Sequence, residues 1–598
     1  MYNYKDIYKK KIADILTGLL SQAEPTAASS AILPEQLAAE IPPRPDMGDL
    51  GFPMFGFAKL FRKSPPQIAE MAAALLPGAA AVGPYVNVFL DRKEAAKNIL
   101  TQSLCAGEKS IGRPQTLCGS KIMVEYSSPN TNKPLHLGHL RNDALGESIS
   151  RILEACGAEV RRVCIINDRG IHICKSMLSY KEQGQGKTPE SEGVKSDYFV
   201  GDWYVQFNKD LKAETELLQK EKGLDKKQAE AQSPLLLRAQ KLLRLWEAGD
   251  TKTTELWKQM NAWAINGWKK TYERTGVRFD KYYFESDTYL LGREEIFKGL
   301  EKGIFFREED GSIQVDLSAE KLDKKVLLRK DGTSIYVTQD IGTAIYRHSD
   351  WPFDRLVYVV GSEQQYHFKV LFLILEKLGL QWAKNLYHLS YGMVNLPEGK
   401  MKSREGTVVD ADVLIDSLKE MAVGEIQNKE REEAVGDIDA AAEKIAVGAL
   451  HYFLLHVSPS KDMLFDPKES LSFNGNTGPY LQYMGARISS LLRKAGMQET
   501  SEDPCFEFLT TDSEWELIKT LANYNDAVAA AAGGMDPSFV TAYLYELAKA
   551  FSRFYHDCPV LGADDPALVA ARLALCRSVL VVLKNALNLV CIPFLEVM

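Results

Sequence analysis

The 598-residue chain has no G-x-x-x-x-G-K-[ST] segment, so it is not a P-loop enzyme. None of its nine cysteines stands in a C-x-x-C pair, which removes the usual zinc spacings and any disulfide framework and fits a reducing compartment. No run approaches the length of a membrane span. The opening Met1-Tyr2-Asn3-Tyr4-Lys5-Asp6 lacks the apolar stretch of a secretory signal. The expectation is a cytoplasmic protein with no membrane partner. An excess of positive charge is missing too: the formal net charge is −8. That excludes a wholly basic nucleic-acid binder but not a local basic face, because phosphate binding depends on local charge. No internal repeat or low-complexity tract stands out.

What is present is ordinary globular material, 45% hydrophobic and 25% charged, on a chain too long for one core. Residues 1–112 predict a small α/β domain: a helix over 7–20, helical segments over 55–61 and 65–76, and a closing strand over 83–89. Residues 113–470 predict a parallel sheet covered by helices, because strand and helix patterns alternate from residue 121. A charged helical insertion interrupts it over about 180–290, taking in Phe279-Asp280-Lys281-Tyr282-Tyr283-Phe284, whose aromatics read as core. Residues 471–598 predict an all-α bundle, with a stripe of Leu544, Leu547, Ala548, Phe551 and Phe554.

The densest chemistry lies in Pro129-Asn130-Thr131-Asn132-Lys133-Pro134-Leu135-His136-Leu137-Gly138-His139. A strand over 121–126 precedes it, and a helix over 140–156, closed by Gly157, follows. Strand, Gly/Pro loop and helix form the layout in which backbone N–H groups meet an anion. His136 and His139 straddle Gly138, whose missing side chain would let a ligand approach the backbone. A second strand, 159–166, ends at Asn167-Asp168-Arg169-Gly170, on the carboxyl edge where open α/β sheets bind ligands. After the turn Asp331-Gly332-Thr333, Tyr336 and Asp340 stand four apart, on one side if the segment is helical. A buried strand over 355–360 leads to Gln364 and His367, and a strand over 387–394 empties into a cationic, glycine-bracketed loop expected to be mobile.

Imidazole N–H groups and lysine ammonium groups aimed at one place suit a triphosphate. On attack at the α-phosphorus, charge builds on the equatorial oxygens and the leaving pyrophosphate, and preorganised donors stabilise it without proton transfer.

His136-Leu137-Gly138-His139 resembles the "HIGH" signature of class I aminoacyl-tRNA synthetases, and Lys400-Met401-Lys402-Ser403-Arg404 resembles their second, lysine-rich signature loop. Ser127-Ser128-Pro129-Asn130, His139-Leu140-Arg141-Asn142, Tyr336 with Asp340, and Ser362-Glu363-Gln364 are similar to the arginyl-tRNA synthetase family. The resemblance covers essentially the whole chain. It implies a Rossmann-like catalytic domain, an N-terminal domain contacting the tRNA elbow, and a helical anticodon-binding domain beginning near Phe473-Asn474-Gly475-Asn476-Thr477-Gly478-Pro479-Tyr480. It implies ATP with Mg²⁺, L-arginine and tRNA(Arg) as substrates and partners, a monomer, and activation that requires bound tRNA.

By the same resemblance His136, Gly138, His139 and Lys400 hold ATP, with His367, Met393 and Val394 near adenine. Glu125, Asn130, His139, Tyr336, Asp340 and Gln364 surround arginine, whose guanidinium offers five donors and no acceptor. Catalysis falls to His136, His139, Lys133, Lys400 and Lys402. The family pattern has a lysine fourth in the second loop; here Ser403 stands there, the extra lysine is third, and Lys133 is the compensating cation. No metal-binding side chains are assigned.

Other readings of these residues stay open. Asn130 is a turn residue, Asp340 and Gln364 are helix caps, Glu125 on a strand can pair with a neighbouring cation, and His367 suits a helix start. Tyr480, Arg487, Tyr543, Arg553 and Tyr555 are candidates for stacking on or pairing with anticodon nucleotides, and equally for the core. Rival functions are another class I synthetase, a non-catalytic tRNA-binding paralogue, and a small-molecule nucleotidyltransferase. The missing Cys/His cluster speaks against the cysteine enzyme, the intact His136, His139 and Lys400 against a mere binder, and the appended domains against a small acceptor.

Overall fold

The computed structural model describes residues 3–23, 31–395, 409–496 and 504–598. Its centre is a five-stranded, all-parallel sheet: β1 (Lys121–Glu125), β2 (Glu159–Ile166), β3 (Lys281–Phe284), β4 (Arg355–Gly361) and β5 (Leu386–Tyr391), in the order β5-β4-β1-β2-β3. Parallel strands covered on both faces need continuous apolar runs, and β1 supplies Ile122, Met123 and Val124, all buried. From β1 the chain builds outward through β2 and β3. It then crosses back to lay β4 on the other side of β1, in register Arg355↔Ile122 to Tyr358↔Glu125. The reversal between β1 and β4 opens a crevice at their carboxyl ends, where such sheets bind ligands.

Three helices frame that crevice. Helix α1 (Leu137–Ala155) follows β1, α2 (Tyr336–Asp350) precedes β4, and α3 (Gln365–Lys377) follows β4. One core joins Met123, Val163, Leu356 and Tyr358 of the sheet to Ile341 of α2 and to Leu371 and Ile374 of α3. The helical insertion has its own core, with Ile173, Met177, Val200, Phe207, Ala239, Leu242 and Met260.

Several expectations need correcting. Lys281–Phe284 is not insertion but the edge strand of the central sheet, paired with Val163–Ile166. Its four residues carry too little alternation to separate a strand from a helical aromatic cluster. A small antiparallel sheet of Phe306–Arg307, Ile313–Val315 and Lys325–Leu328 stands before α2 and was not expected at all. The strand expected over 387–394 breaks at Gly392, and Val394–Asn395 pairs instead with Met463–Leu464. A Cβ at Gly392 would sit 2.6 Å from the Asp462 nitrogen, so only glycine lets the two segments approach. Helices also begin before residue 470, at Ala411–Asn428 and Ile438–Leu455.

The chain divides into two compact units. One comprises residues 1–112, 488–527 and 545–585; the other comprises 113–487, 528–544 and 586–598. In the first, a three-stranded antiparallel sheet (Leu50–Pro53, Tyr85–Val88 and Ala79–Val82 in spatial order) packs with the helix Pro65–Ala73. Residues 1–112 are tied there to later helices by Trp515 Nε1 donating to Asp49 (2.9 Å) and by Lys5 with Asp526 (2.8 Å). Among the described residues, one helix, Pro566–Leu589, is long and apolar enough to cross a membrane. Arg572, Arg577 and Lys584 interrupt its apolar run. More than half of its most apolar window is buried, and Arg572 pairs with Glu514 at 2.7 Å, as in a core helix.

Candidate active site

The chain leaves β1 through two consecutive left-handed residues, Ser127 (φ 71°) and Ser128 (φ 52°). Such backbone is unfavourable for non-glycine residues and is held here by its surroundings. The Ser127 N–H donates to the Asn142 side chain on α1, and Asn167 beyond β2 donates from Nδ2 to the Ser128 carbonyl (2.8 Å). Asn167 N–H also donates to Pro129 O (3.0 Å), and Thr131 N–H to Asn167 O (3.2 Å). Two strand ends are thereby locked together, with the Asn130 side chain exposed above them.

The two histidines then cap α1. His136 is the N-cap residue, and its Nδ1 accepts from the Gly138 N–H (3.1 Å). In return His139 Nδ1 accepts from the His136 N–H (3.2 Å), and the rings lie 3.9 Å apart. This reciprocal arrangement satisfies two backbone donors that a helix start leaves open. It also fixes the chemistry. An Nδ1 that accepts carries no proton, so each neutral ring carries it on Nε2. Burial, with Lys133 beside it, holds His136 down at about 3. Burial, then His136 and Lys133, hold His139 well below the ordinary histidine value. Both are uncharged N–H donors at neutral pH. Burial also lowers Lys133, which has no ion pair among the described residues. A Cβ at Gly138 would meet His136 Cε1 at 3.0 Å, so the missing side chain also makes room for the imidazole.

Beyond β4 stand the polar groups of the other wall. Helix α2 starts at Tyr336, so Tyr336 and Asp340 are one turn apart; Tyr336 is 78% exposed and not a core aromatic. Asp340 Oδ2 lies 2.6 Å from His367 Nε2, so His367, expected near adenine, partners a residue expected near arginine. Gln364 is exposed in the turn between β4 and α3. Met393 is 41% exposed, whereas the Val394 side chain is buried.

Glu125 is buried and ion-paired with Arg347 of α2, the pairing with a neighbouring cation that its strand position left open. Glu285, just past β3, has no side-chain hydrogen bond or ion pair among the described residues, and sequence reasoning missed it by assigning that strand to the insertion. Burial raises Glu285 to about 7; Arg169 opposes the rise, and Asp168 and Asp340 add to it. The signal was available: Glu285 follows its strand at the carboxyl edge, as Asn130 and Gln364 follow theirs. Asp168 ties the ends of β2 and β3, accepting from Ser286 N–H (2.9 Å) and Oγ (2.7 Å). Arg141, also missed, is a fully buried cation on α1.

Lys400 and Lys402 lie outside the described residues. The described residues that flank them border the site. Val394 and Asn395 pair with Met463 and Leu464, the Leu137 N–H donates to Val409 O (3.1 Å), and the Ala411 N–H donates to Leu135 O (3.0 Å). Among the described residues no group of three His, Cys, Asp or Glu could hold a metal ion.

Comparison with known proteins gives three adjoining matches. Residues 6–90 match the arginyl-tRNA synthetase N-terminal domain, 100–466 the catalytic domain of class I (R) tRNA synthetases, and 481–598 the DALR anticodon-binding domain. The arginine–tRNA ligase of Treponema denticola is 58% identical, with all of both chains covered. That of Treponema pallidum is 53% identical, again covering both chains completely. The solved arginyl-tRNA synthetase of Thermus thermophilus is similar at a TM-score of 0.79 and 26% identity, over 98% of this chain and 100% of that one.

Proposed function

The chain belongs to the arginyl-tRNA synthetase family, and from that premise we propose how its residues divide the work. The activity is the ATP-dependent activation of L-arginine and its transfer to the 3′ end of tRNA(Arg). The arginine carboxylate attacks the α-phosphorus of ATP, giving arginyl-adenylate and pyrophosphate, and a terminal ribose hydroxyl of the tRNA then takes the acyl group.

His136 and His139 donate from Nε2 to the phosphates, and Lys133 supplies positive charge beside them. Neutral donors stabilise developing charge without surrendering a proton. Lys400 and Lys402 complete the phosphate half from the second loop. Mg²⁺ enters with ATP, bound to its phosphates. Asp340 and Glu285 receive the guanidinium, with Tyr336, Gln364 and Asn130 around it, and Met393–Val394 gives the adenine edge. We further propose a monomer, and a cytoplasmic location, where nine free thiols would stay reduced.

The observation carrying this reading is the reciprocal His136/His139 cap, which fixes two N–H donors at the switch point of the sheet. Arginine-dependent pyrophosphate exchange, run with and without tRNA, tests it. His139→Ala should lower kcat by about 10²–10³-fold, the effect of losing one such donor. Asp340→Ala should raise the KM for arginine and leave that for ATP nearly unchanged. Full activity in His139→Ala would remove the phosphate role, and exchange driven by another amino acid would remove the arginine pocket.

A further inference from the structure

Arg141 stands two residues beyond His139 on α1 and is completely buried. It has no ion pair among the described residues, and its Nε has no hydrogen-bond partner there. All its bonds run to backbone carbonyls on two other segments. Nη1 donates to Gly392 O (2.6 Å) and Met393 O (3.3 Å); Nη2 donates to Pro459 O (3.1 Å) and Lys461 O (2.7 Å). The Tyr391 ring lies 5.9 Å from the guanidinium. The two segments are also joined to each other: Gly392 N–H donates to Pro459 O (2.9 Å), Met463 N–H to Met393 O (2.9 Å), and Met393 N–H to Asp462 Oδ1 (2.7 Å).

A buried cation whose hydrogen bonds all go to carbonyl dipoles, with the Asp462 carboxylate as a nearby counter-charge, is expensive to desolvate. A planar fork reaches two carbonyl pairs at once, which an ammonium group does not. Every bond it makes fixes a distance between the helix that begins with His136 and the backbone at Met393.

We infer that Arg141 is a positioning residue for the nucleotide, setting the separation between the imidazoles at the head of α1 and the backbone edge at Met393–Val394. It touches no substrate itself. The inference rests on that edge being where adenine lies. With the spacing set, phosphates and base engage together; with it lost, ATP gives up one contact to keep the other, while the arginine wall is untouched.

The test is a split of Michaelis constants in arginine-dependent pyrophosphate exchange, with thermal melts run alongside. Arg141→Lys should raise the KM for ATP about tenfold or more, as sub-ångström misplacement does, and leave the KM for arginine within about twofold. Asp462→Ala, at an exposed rim position, releases the Met393 N–H and should raise the KM for ATP in the same direction by a smaller factor. If both constants rise together in Arg141→Lys, or only kcat falls with the melting temperature, the residue is merely structural. Should Arg141→Lys not fold, Asp462→Ala decides alone: an unchanged KM for ATP ends the proposal. A wild-type enzyme without arginine-dependent exchange would instead overturn the functional reading beneath it.

Discussion

The role proposed for Glu285 carries a pH dependence of arginine binding. Its carboxyl is raised from 4.5 to about 7, first by burial. A guanidinium binds the carboxylate form, so affinity for arginine should rise as pH goes from 6 to 8. Below pH 7 it should fall, approaching tenfold per unit when one proton must leave. The sign for the fold is opposite. A raised carboxyl favours the folded state below its unfolded value, and that advantage is lost as pH climbs from about 4.5 through about 7. Bound arginine should therefore stabilise the protein most above pH 7. Glu285→Gln should flatten the profile and weaken binding at pH 8 by about 10- to 100-fold, the worth of one charge-assisted hydrogen bond. Calorimetric titration with arginine at several pH values reads both. A profile equally steep in the variant would assign the titration elsewhere.

At the scale of elements, the site depends on how α1 begins. Gly138 is the second residue of that helix, where alanine would ordinarily be the better helix former by about 1 kcal/mol. Yet a Cβ there would press on the His136 ring at 3.0 Å. Gly138→Ala should leave the melting temperature unchanged or slightly higher and lower kcat by at least about tenfold, through a misdirected donor. Unimpaired exchange in that variant would mean the ring has no fixed task. The other wall rests on a similar economy of side chains. Gly292, at the head of the helix Gly292–Glu301, meets Gly342 of α2 so closely that a Cβ on Gly342 would lie 2.2 Å from the Gly292 nitrogen. That contact holds the helix bearing Tyr336 and Asp340. The pattern of strand, loop and helix along this half of the chain was legible from local periodicity. Strand β3 was not, because four residues in a run of aromatics fit either core or sheet edge until Cys164 and Ile165 pair with them.

For the whole molecule, the last residues of the chain bear on its catalytic helix. Within the second unit, Ser148 Oγ of α1 donates to Leu589 O (2.8 Å) and Arg151 donates to Asn588 O (2.9 Å). His451 Nδ1 lies 2.6 Å from Cys591 O, and Gln482 donates to Pro593 O (2.8 Å). Ser148 and Gln482 are fully buried, so loss of their acceptors leaves polar groups unpaired. A chain lacking residues 588–598 should lose at least about 4 kcal/mol of stability, counting about 1 per hydrogen bond, and more once the buried Leu589, Val590, Ile592 and Leu595 are gone. Arginine-dependent exchange should fall with it. Denaturant melts and exchange assays on the shortened chain check this, and unaltered values in both would contradict it.

The sequence by itself determined the family and the reaction. The two signature loops and the residues around them carry the family resemblance, and period-two and helical patterns are set by neighbours along the chain. Only the tertiary structure decided which groups are available. Glu125 is buried in a pair with Arg347, 222 residues away, while Glu285 makes no side-chain hydrogen bond among the described residues. The histidines became neutral donors because burial and reciprocal capping removed their charge, and Gly138 turned out to serve His136 before any ligand. A side chain's pairing, burial and protonation depend on residues brought near by the fold, and no local pattern records them.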